Sequence, residues 1–256
     1  MNENKSKLLG TLLFVVLISF LFYLIFFTNK KTSKGEIKMI KISGNNLLPS
    51  IDYLKFTKLE NNSSYEKLTL AALRSKFEKH PYVEKADVAY EGNNEVEVYI
   101  KEKKIEAVII IDGEPHFISE DFQILPMLPD IKMLDVPVIS NPEISNKISS
   151  LSYIRTDDIV EAFKIIDAAK MVNMNIYKKL SEINLRNGGD IILTFSGIKP
   201  PVFFGKGEDA KKMVYLNIIW NGMAHGNNLV DNSEYIDLRF SSEIFVGTLV
   251  KTGLSE

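Results

Sequence analysis

The sequence predicts an α+β protein: an N-terminal transmembrane helix, a compact strand–helix–helix–strand–strand unit, and a mixed, β-rich domain with two helices. Three observations carry this expectation. An uncharged apolar run stands near the start, from Leu8 to Phe27. Behind it, hydrophobic periodicity switches between two and about 3.6 residues in a fixed order. Further on, short alternating segments punctuated by Gly, Asn and Pro outnumber helical ones.

The run Leu8–Phe27 reads LLGTLLFVVLISFLFYLIFF. At 1.5 Å per residue such a helix spans about 30 Å, the thickness of a bilayer's hydrocarbon core. A cleaved signal peptide fits less well: hydrophobic regions of signal peptides run to about 15 residues, and FFTNKKTSK offers no small-x-small cleavage site. A buried globular helix would carry a polar face, which this run lacks. Residues 8–27 are therefore expected to lie in a lipid bilayer, with 1–7 as a short tail, cytoplasmic if the N-in orientation implied by the resemblance given below holds, and 28–35 as a polar linker. Lysine placement leaves the orientation open. Lys5 and Lys7 precede the run, and Lys30, Lys31 and Lys34 follow it.

Residues 36–106 are expected to form the first unit. Ile40 and Ile42 flank Lys41 in a strand that runs into the turn cluster Ser43-Gly44-Asn45-Asn46. Pro49 opens a short helix, where its missing N–H costs nothing, with Ile51 and Leu54 expected inward. Thr69 is the expected N-cap of a second helix with Leu70, Leu73 and Phe77 on one face. His80-Pro81 is expected to end it. Ala86, Val88 and Tyr90, then Val96, Val98 and Ile100, alternate on either side of Gly92-Asn93-Asn94 and predict a β-hairpin.

Residues 107–250 are expected to form the second domain, and 251–256 a tail. Ala107–Asp112, His116–Ser119 and Phe122–Leu125 read as a meander turning at Asp112-Gly113. Pro126–Pro142 holds four prolines and is expected to follow the surface. Thr156-Asp157-Asp158 caps a helix reaching about Met174, with both aspartates at the positive end of its dipole. Ile183–Arg186 and Ile191–Phe195 form a hairpin, Pro201–Phe204 a short strand, and Glu208–Met223 a helix carrying Trp220. Tyr235–Phe240 and Ile244–Val250 close the chain as strands.

Composition narrows the function. With 256 residues, 45% of them hydrophobic and 25% charged, the chain is not wholly disordered. The 31 basic and 33 acidic residues leave a net charge of -2, without the basic footprint of a nucleic-acid binder. There is no cysteine, which excludes thiol nucleophiles, CxxC redox chemistry, thiolate zinc sites and disulfides. His80, His116 and His225 stand far apart, and no nucleophile–base pair is evident. Gly205-Lys206-Gly207 lacks the Gly-Lys-Ser/Thr ending of a phosphate loop. No catalytic residue, cofactor or metal is expected.

Several segments, in order, resemble the FtsQ/DivIB family of bacterial division proteins. IKMIKISGNNLLPSIDYL, then LTLAALRSKFEKHPYVEKADV and EVEVYIKEKK, are similar to that family's POTRA domain. The family's His/Asn-Pro-aromatic-Val step is met by His80, Pro81, Tyr82 and Val83. Its charged element at the end of the last strand is met by Glu102–Ala107, with Ile105 in place of the family's proline. FGKGEDAKKMVYL and YIDLRF complete the resemblance. It implies an N-in, single-pass protein of the inner membrane at the division septum. It also implies a scaffold that helps control septal peptidoglycan synthesis and pairs its C-terminal strand with FtsB/FtsL (DivIC)-type partners.

The last strands carry the partner-binding expectation: Tyr235, Asp237, Arg239, Phe240, Ser241, Ser242, Ile244, Phe245, Val246 and Thr248. Ile244-Phe245-Val246 has no charge or proline to blunt an edge and is open to β-augmentation. Asp237 and Arg239 share a face opposite Ile236, Leu238 and Phe240. They read either as a solvated ion pair or as part of the partner surface. Two other readings stand beside the scaffold: a different POTRA-bearing protein of envelope assembly or secretion, and a membrane-anchored enzyme or sensor.

Overall fold

The computed structural model describes residues 12–23, 37–61, 65, 68–144, 148–224, 233–240 and 243–248. Residues 12–23 form a helix, α1, with exposed side chains. At 1.5 Å per residue it covers about 18 Å. Residues 8–11 and 24–27 of the expected bilayer segment lie outside the described residues. Among the described residues no helix is long and apolar enough to cross a membrane.

The first unit follows the expected order: β1 (Met39–Ser43), α2 (Ser50–Thr57), α3 (Leu70–Phe77), β2 (Val83–Gly92) and β3 (Glu95–Glu102). β3 lies in the middle, parallel to β1 and antiparallel to β2. Its alternation buries Val96, Val98 and Ile100 under the helices. The turn after β1 requires Gly44, which has φ +82°, and whose Cβ would stand 2.2 Å from the Ile100 carbonyl oxygen. The Glu102 carboxylate then holds the turn by accepting from Asn46 N–H (2.8 Å), Leu47 N–H (3.0 Å) and the Tyr53 hydroxyl.

Thr69 caps α3 by accepting from Ala72 N–H at 3.1 Å, and Leu73 and Phe77 are buried. The helix stops at Phe77, just before His80-Pro81, with the Glu78 N–H donating to the Arg74 carbonyl as the last bond of its final turn. In α2 the inward face differs from expectation. Ile51 is exposed and Leu54 half-buried, while Tyr53 and Thr57 are buried. The i, i+4 pair prevails because the Thr57 hydroxyl, returning to the Tyr53 carbonyl at 3.0 Å, satisfies itself inside the core.

The second sheet has nine strands: β4 (Ile105–Ile111), β5 (Glu114–Ser119), β6 (Ile124–Leu125), β7 (Val138–Ser140), β8 (Leu180–Asn184), β9 (Ile192–Phe195), β10 (Val202–Phe203), β11 (Ser233–Asp237) and β12 (Phe245–Thr248). Their order across the sheet is β12-β11-β10-β9-β8-β7-β4-β5-β6. Mixed α+β architecture thus holds. The surface path expected for Pro126–Pro142 holds only before β7, where Met127 and Met133 are exposed: β7 itself lies inside the sheet, parallel to β4 and β8, with Ile139 buried. The start of that segment runs over the first unit. Pro126 accepts from the Tyr82 hydroxyl, Lys132 N–H donates to the Leu47 carbonyl (3.0 Å), and Leu128, Ile131 and Leu134 pack on its core.

Helices α4 (Asp157–Val172), α5 (Met174–Lys179) and α6 (Asp209–Ala224) add the apolar groups that close the second core. Ile159, Phe163, Ile166 and Ala169 of α4 and Met213 and Leu216 of α6 are buried with Ile139, Ile183, Leu193 and Ile236 of the strands. Thr156 caps α4 as expected. Asp158 is more than a first-turn carboxylate: it is buried and takes Lys206 Nζ at 3.1 Å. The strand expected over Tyr235–Phe240 ends at Asp237, and that expected over Ile244–Val250 begins at Phe245, with residues 249–250 outside the described ones.

Candidate partner-binding edge

β6, at one edge of the large sheet, is covered. Residues 151–153 run along it, with Leu151 N–H donating to the Ile124 carbonyl (2.8 Å) and Ile124 N–H to that of Ser152 (2.9 Å). β12, at the other edge, pairs only with β11, and no other strand among the described residues meets it.

Register fixes which backbone groups are free. Ile236 N–H donates to the Pro201 carbonyl (3.0 Å) and Leu238 N–H to that of Phe203 (2.9 Å), so both residues direct their backbone groups toward β10. Val246 stands opposite Ile236. That pair is therefore not hydrogen-bonded, and the Val246 N–H and C=O point away from the sheet. Tyr235↔Gly247 and Asp237↔Phe245 are the hydrogen-bonded pairs that hold β12 in place. Gly247 has its own reason to be glycine, since a Cβ would lie 2.3 Å from Cε1 of the Tyr235 ring.

The side chains at this edge are apolar and solvent-facing: Ile244 is 36% exposed, Phe245 44%, Val246 37% and Phe240 53%. Phe240 meets Phe245 edge-on with ring centroids 5.1 Å apart, and Tyr235 meets Phe203 likewise at 5.7 Å. An apolar edge with free hydrogen-bonding groups is what a partner strand recognises.

Asp237 and Arg239 correct one expectation. They are not a solvated pair, because Asp237 is buried. Arg239 grips it in a fork, Nε to Oδ1 at 2.9 Å and Nη2 to Oδ2 at 2.6 Å, and its backbone N–H adds a third bond at 3.0 Å. Arg239 Nη1 reaches Asp190 Oδ2 at 2.8 Å, and the guanidinium lies 5.3 Å from the Phe203 ring centroid. These bonds from Arg239 hold the Asp237 carboxyl below its ordinary range against the opposing effect of burial. Both carboxylates raise the Arg239 guanidinium in turn.

The structure thus brings Tyr235, Asp237, Arg239, Phe240, Ile244, Phe245 and Val246 to one edge. Thr248 is placed in β12 opposite Ser233, while Ser241 and Ser242 lie outside the described residues. Asp190 and Phe203 belong to the arrangement and were not anticipated. Asp190 follows Gly188-Gly189 and is 49 residues from Arg239, so no local pattern ties the two together.

The two described histidines, His80 and His116, stand in different surroundings. His80 is buried against the rings of Tyr53 (4.5 Å), Phe56 (4.7 Å) and Tyr82 (5.6 Å), and its Nδ1 accepts from Tyr82 N–H at 3.1 Å. Burial, with Lys103 adding to it, lowers its pKa to about 4. His116 lies beside the Glu114 carbonyl, and His225 falls outside the described residues. Among the described residues no three His, Cys, Asp or Glu side chains converge to hold a metal ion.

Residues 36–103 match the family model described as POTRA domain, FtsQ-type. This segment is an FtsQ-type POTRA domain. The match covers about a quarter of the chain and supports classification with the FtsQ/DivIB family. The POTRA domain so defined contains β1, α2, α3, β2 and β3 and ends one residue past β3. Its type suggests a scaffolding role in cell division, exercised through protein–protein contacts at the membrane. No curated protein matches the chain.

Proposed function

We propose that the chain is a non-catalytic scaffold of the division machinery, held in the cytoplasmic membrane by residues 8–27 with its POTRA and β-rich domains outside. Through the free edge of β12 it receives an extended segment of an FtsB/FtsL (DivIC)-type partner, and so links early division proteins to control of septal peptidoglycan synthesis. The observation that carries this reading is the outward-facing backbone of Val246, framed by exposed Ile244, Phe245 and Phe240. The POTRA type supports the division context, and the uncharged run from Leu8 supports the anchor.

Co-purification of such a partner with the full chain tests the edge. Phe240→Asp and Val246→Asp each place a charge on it and abolish capture; unchanged recovery with both variants refutes the assignment. A periplasmic reporter fused after Glu256 is active if the C-terminal domain lies outside. Depletion gives undivided filaments if the protein serves division.

A further inference from the structure

We propose that the segment received by β12 is cationic at the Phe245 end of the edge, with lysine or arginine there and alternating apolar residues beyond. This rests on the strand-addition reading and adds the chemistry of the partner. Glu243 stands two residues before Phe245, is exposed, and makes no ion pair among the described residues. Beside it, two carboxylates, Asp237 and Asp190, share the single guanidinium of Arg239. Both of those carboxylates thus have a cation, and Glu243 adds a negative charge that none of these contacts matches. Lys212, buried against the Phe204 ring, acts on Asp209 most and on Asp190 as well, which leaves Glu243 as the carboxylate of this end without a cation among the described residues.

The rings point the same way. Phe240 and Phe245 form an exposed edge-on pair, and aromatic faces beside an unpaired carboxylate attract an ammonium or guanidinium group. Side chains of an added strand alternate between two faces. One face meets Phe245; the other meets Ile244 and Val246, which are apolar and half-open to solvent. An acidic side chain at the Phe245 end would face Glu243 as a like charge, which is unfavourable across a strand pair. Residues 244–248 of a second copy of the chain hold no positive charge, so self-pairing through these residues would leave Glu243 unmatched.

The test uses the full chain in detergent micelles and two labelled synthetic peptides followed by fluorescence anisotropy. Both alternate valine with threonine, and they differ only in two terminal lysines or two terminal glutamates. The lysine peptide is expected to bind about tenfold more tightly. The preference shrinks at about 0.5 M salt and disappears in Glu243→Lys, whereas Val246→Pro weakens both peptides alike. Equal binding, or preference for glutamate, overturns the cationic assignment and leaves strand addition standing. Binding of neither peptide to a chain with native circular dichroism overturns strand addition, and this inference with it. Sedimentation closes the remaining route: if the wild-type chain self-associates and Val246→Asp does not, the edge belongs to a second copy and the proposal fails.

Discussion

The two sheets treat their free edges in opposite ways. In the POTRA domain β2 is an edge strand of ten residues, with Glu84, Lys85, Asp87 and Glu91 exposed along it and register shifts near both ends. Charges and bulges of this kind discourage a second chain from pairing. β12 is shorter, has no charged residue, and turns apolar side chains to solvent. The same large sheet covers its β6 edge with residues 151–153. An open edge on a sheet that covers its other edge reads as a binding surface. The comparison also separates the inside of the molecule from its rim: the POTRA domain is sealed and vulnerable at its core, the β-rich domain at its edge.

The largest expected effect attacks the sealed side. His80 is neutral and buried, with its pKa lowered to about 4, whereas in the unfolded chain it titrates near 6.5. Between these values the unfolded state binds the extra proton. The stability His80 contributes is therefore complete above about pH 6.5 and lost as pH falls toward 4, by on the order of 3 kcal/mol. Thermal unfolding across that range is expected to show the loss, and His80→Asn to flatten it. A profile unchanged by His80→Asn would place the acid sensitivity elsewhere.

Next comes the open side. Val246→Pro removes one outward donor and leaves the ladder to β11 intact, because the Val246 N–H takes no part in it. Partner affinity is expected to fall by about 2 kcal/mol, roughly thirtyfold, with little change in melting temperature. Phe245→Pro makes the contrast, since it removes an internal bond opposite Asp237 and should cost stability as well. Equal effects of the two prolines on stability would contradict the register.

The clamp behind the edge is expected to matter less. Asp237→Asn keeps shape but removes the charge that Arg239 grips, while Asp190 retains the guanidinium. A loss of about 1 kcal/mol is expected, with faster amide exchange confined to β11 and β12. Because the Asp237 carboxyl is held below its ordinary value, its contribution is present above about pH 3.9 and lost only as pH falls further. Between pH 6.5 and 4 the POTRA core should thus weaken while the clamp holds, which separates the two regions in one titration.

What could be seen in the sequence was what is local. Thr69, Leu73 and Phe77 sit within one helix, and cap and face follow from spacing alone. The edge was visible too, because Ile244-Phe245-Val246 lacks any blunting residue. A three-residue strand set between prolines is too short to show a period, so β7 reads as surface path in the sequence although Val138–Ser140 joins β4 to β8. In α2, Leu54 packs on the core as expected, but Ile51 faces solvent although it outranks Tyr53 and Thr57 in hydrophobicity, because only the fold supplies partners for their hydroxyls in Glu102 and the helix backbone. Asp237 looked solvated because Asp190 and Phe203, which enclose its partner Arg239, come from other strands or their turns. Side chains assembled from distant positions leave no local trace.

The smallest effect on stability gives the sharpest test of the comparison. Asp87 pairs with Arg74 at 3.3 Å and with Lys85 at 3.1 Å, all three charged groups of these contacts being largely exposed. Such pairs contribute little, so Lys85→Val with Asp87→Val should change unfolding stability by no more than about 0.5 kcal/mol. Their value lies in repelling other chains. Val suits a strand, and with two of its four exposed charges removed β2 comes closer to the kind of edge β12 already offers. The double variant is expected to self-associate in sedimentation experiments where the wild type does not, while its capture of a partner at β12 stays unchanged. If it remains monomeric, charge is not what closes β2; the register shifts at Val83/Lys85 and Tyr90/Gly92 would then carry the protection, and straightening them becomes the decisive change.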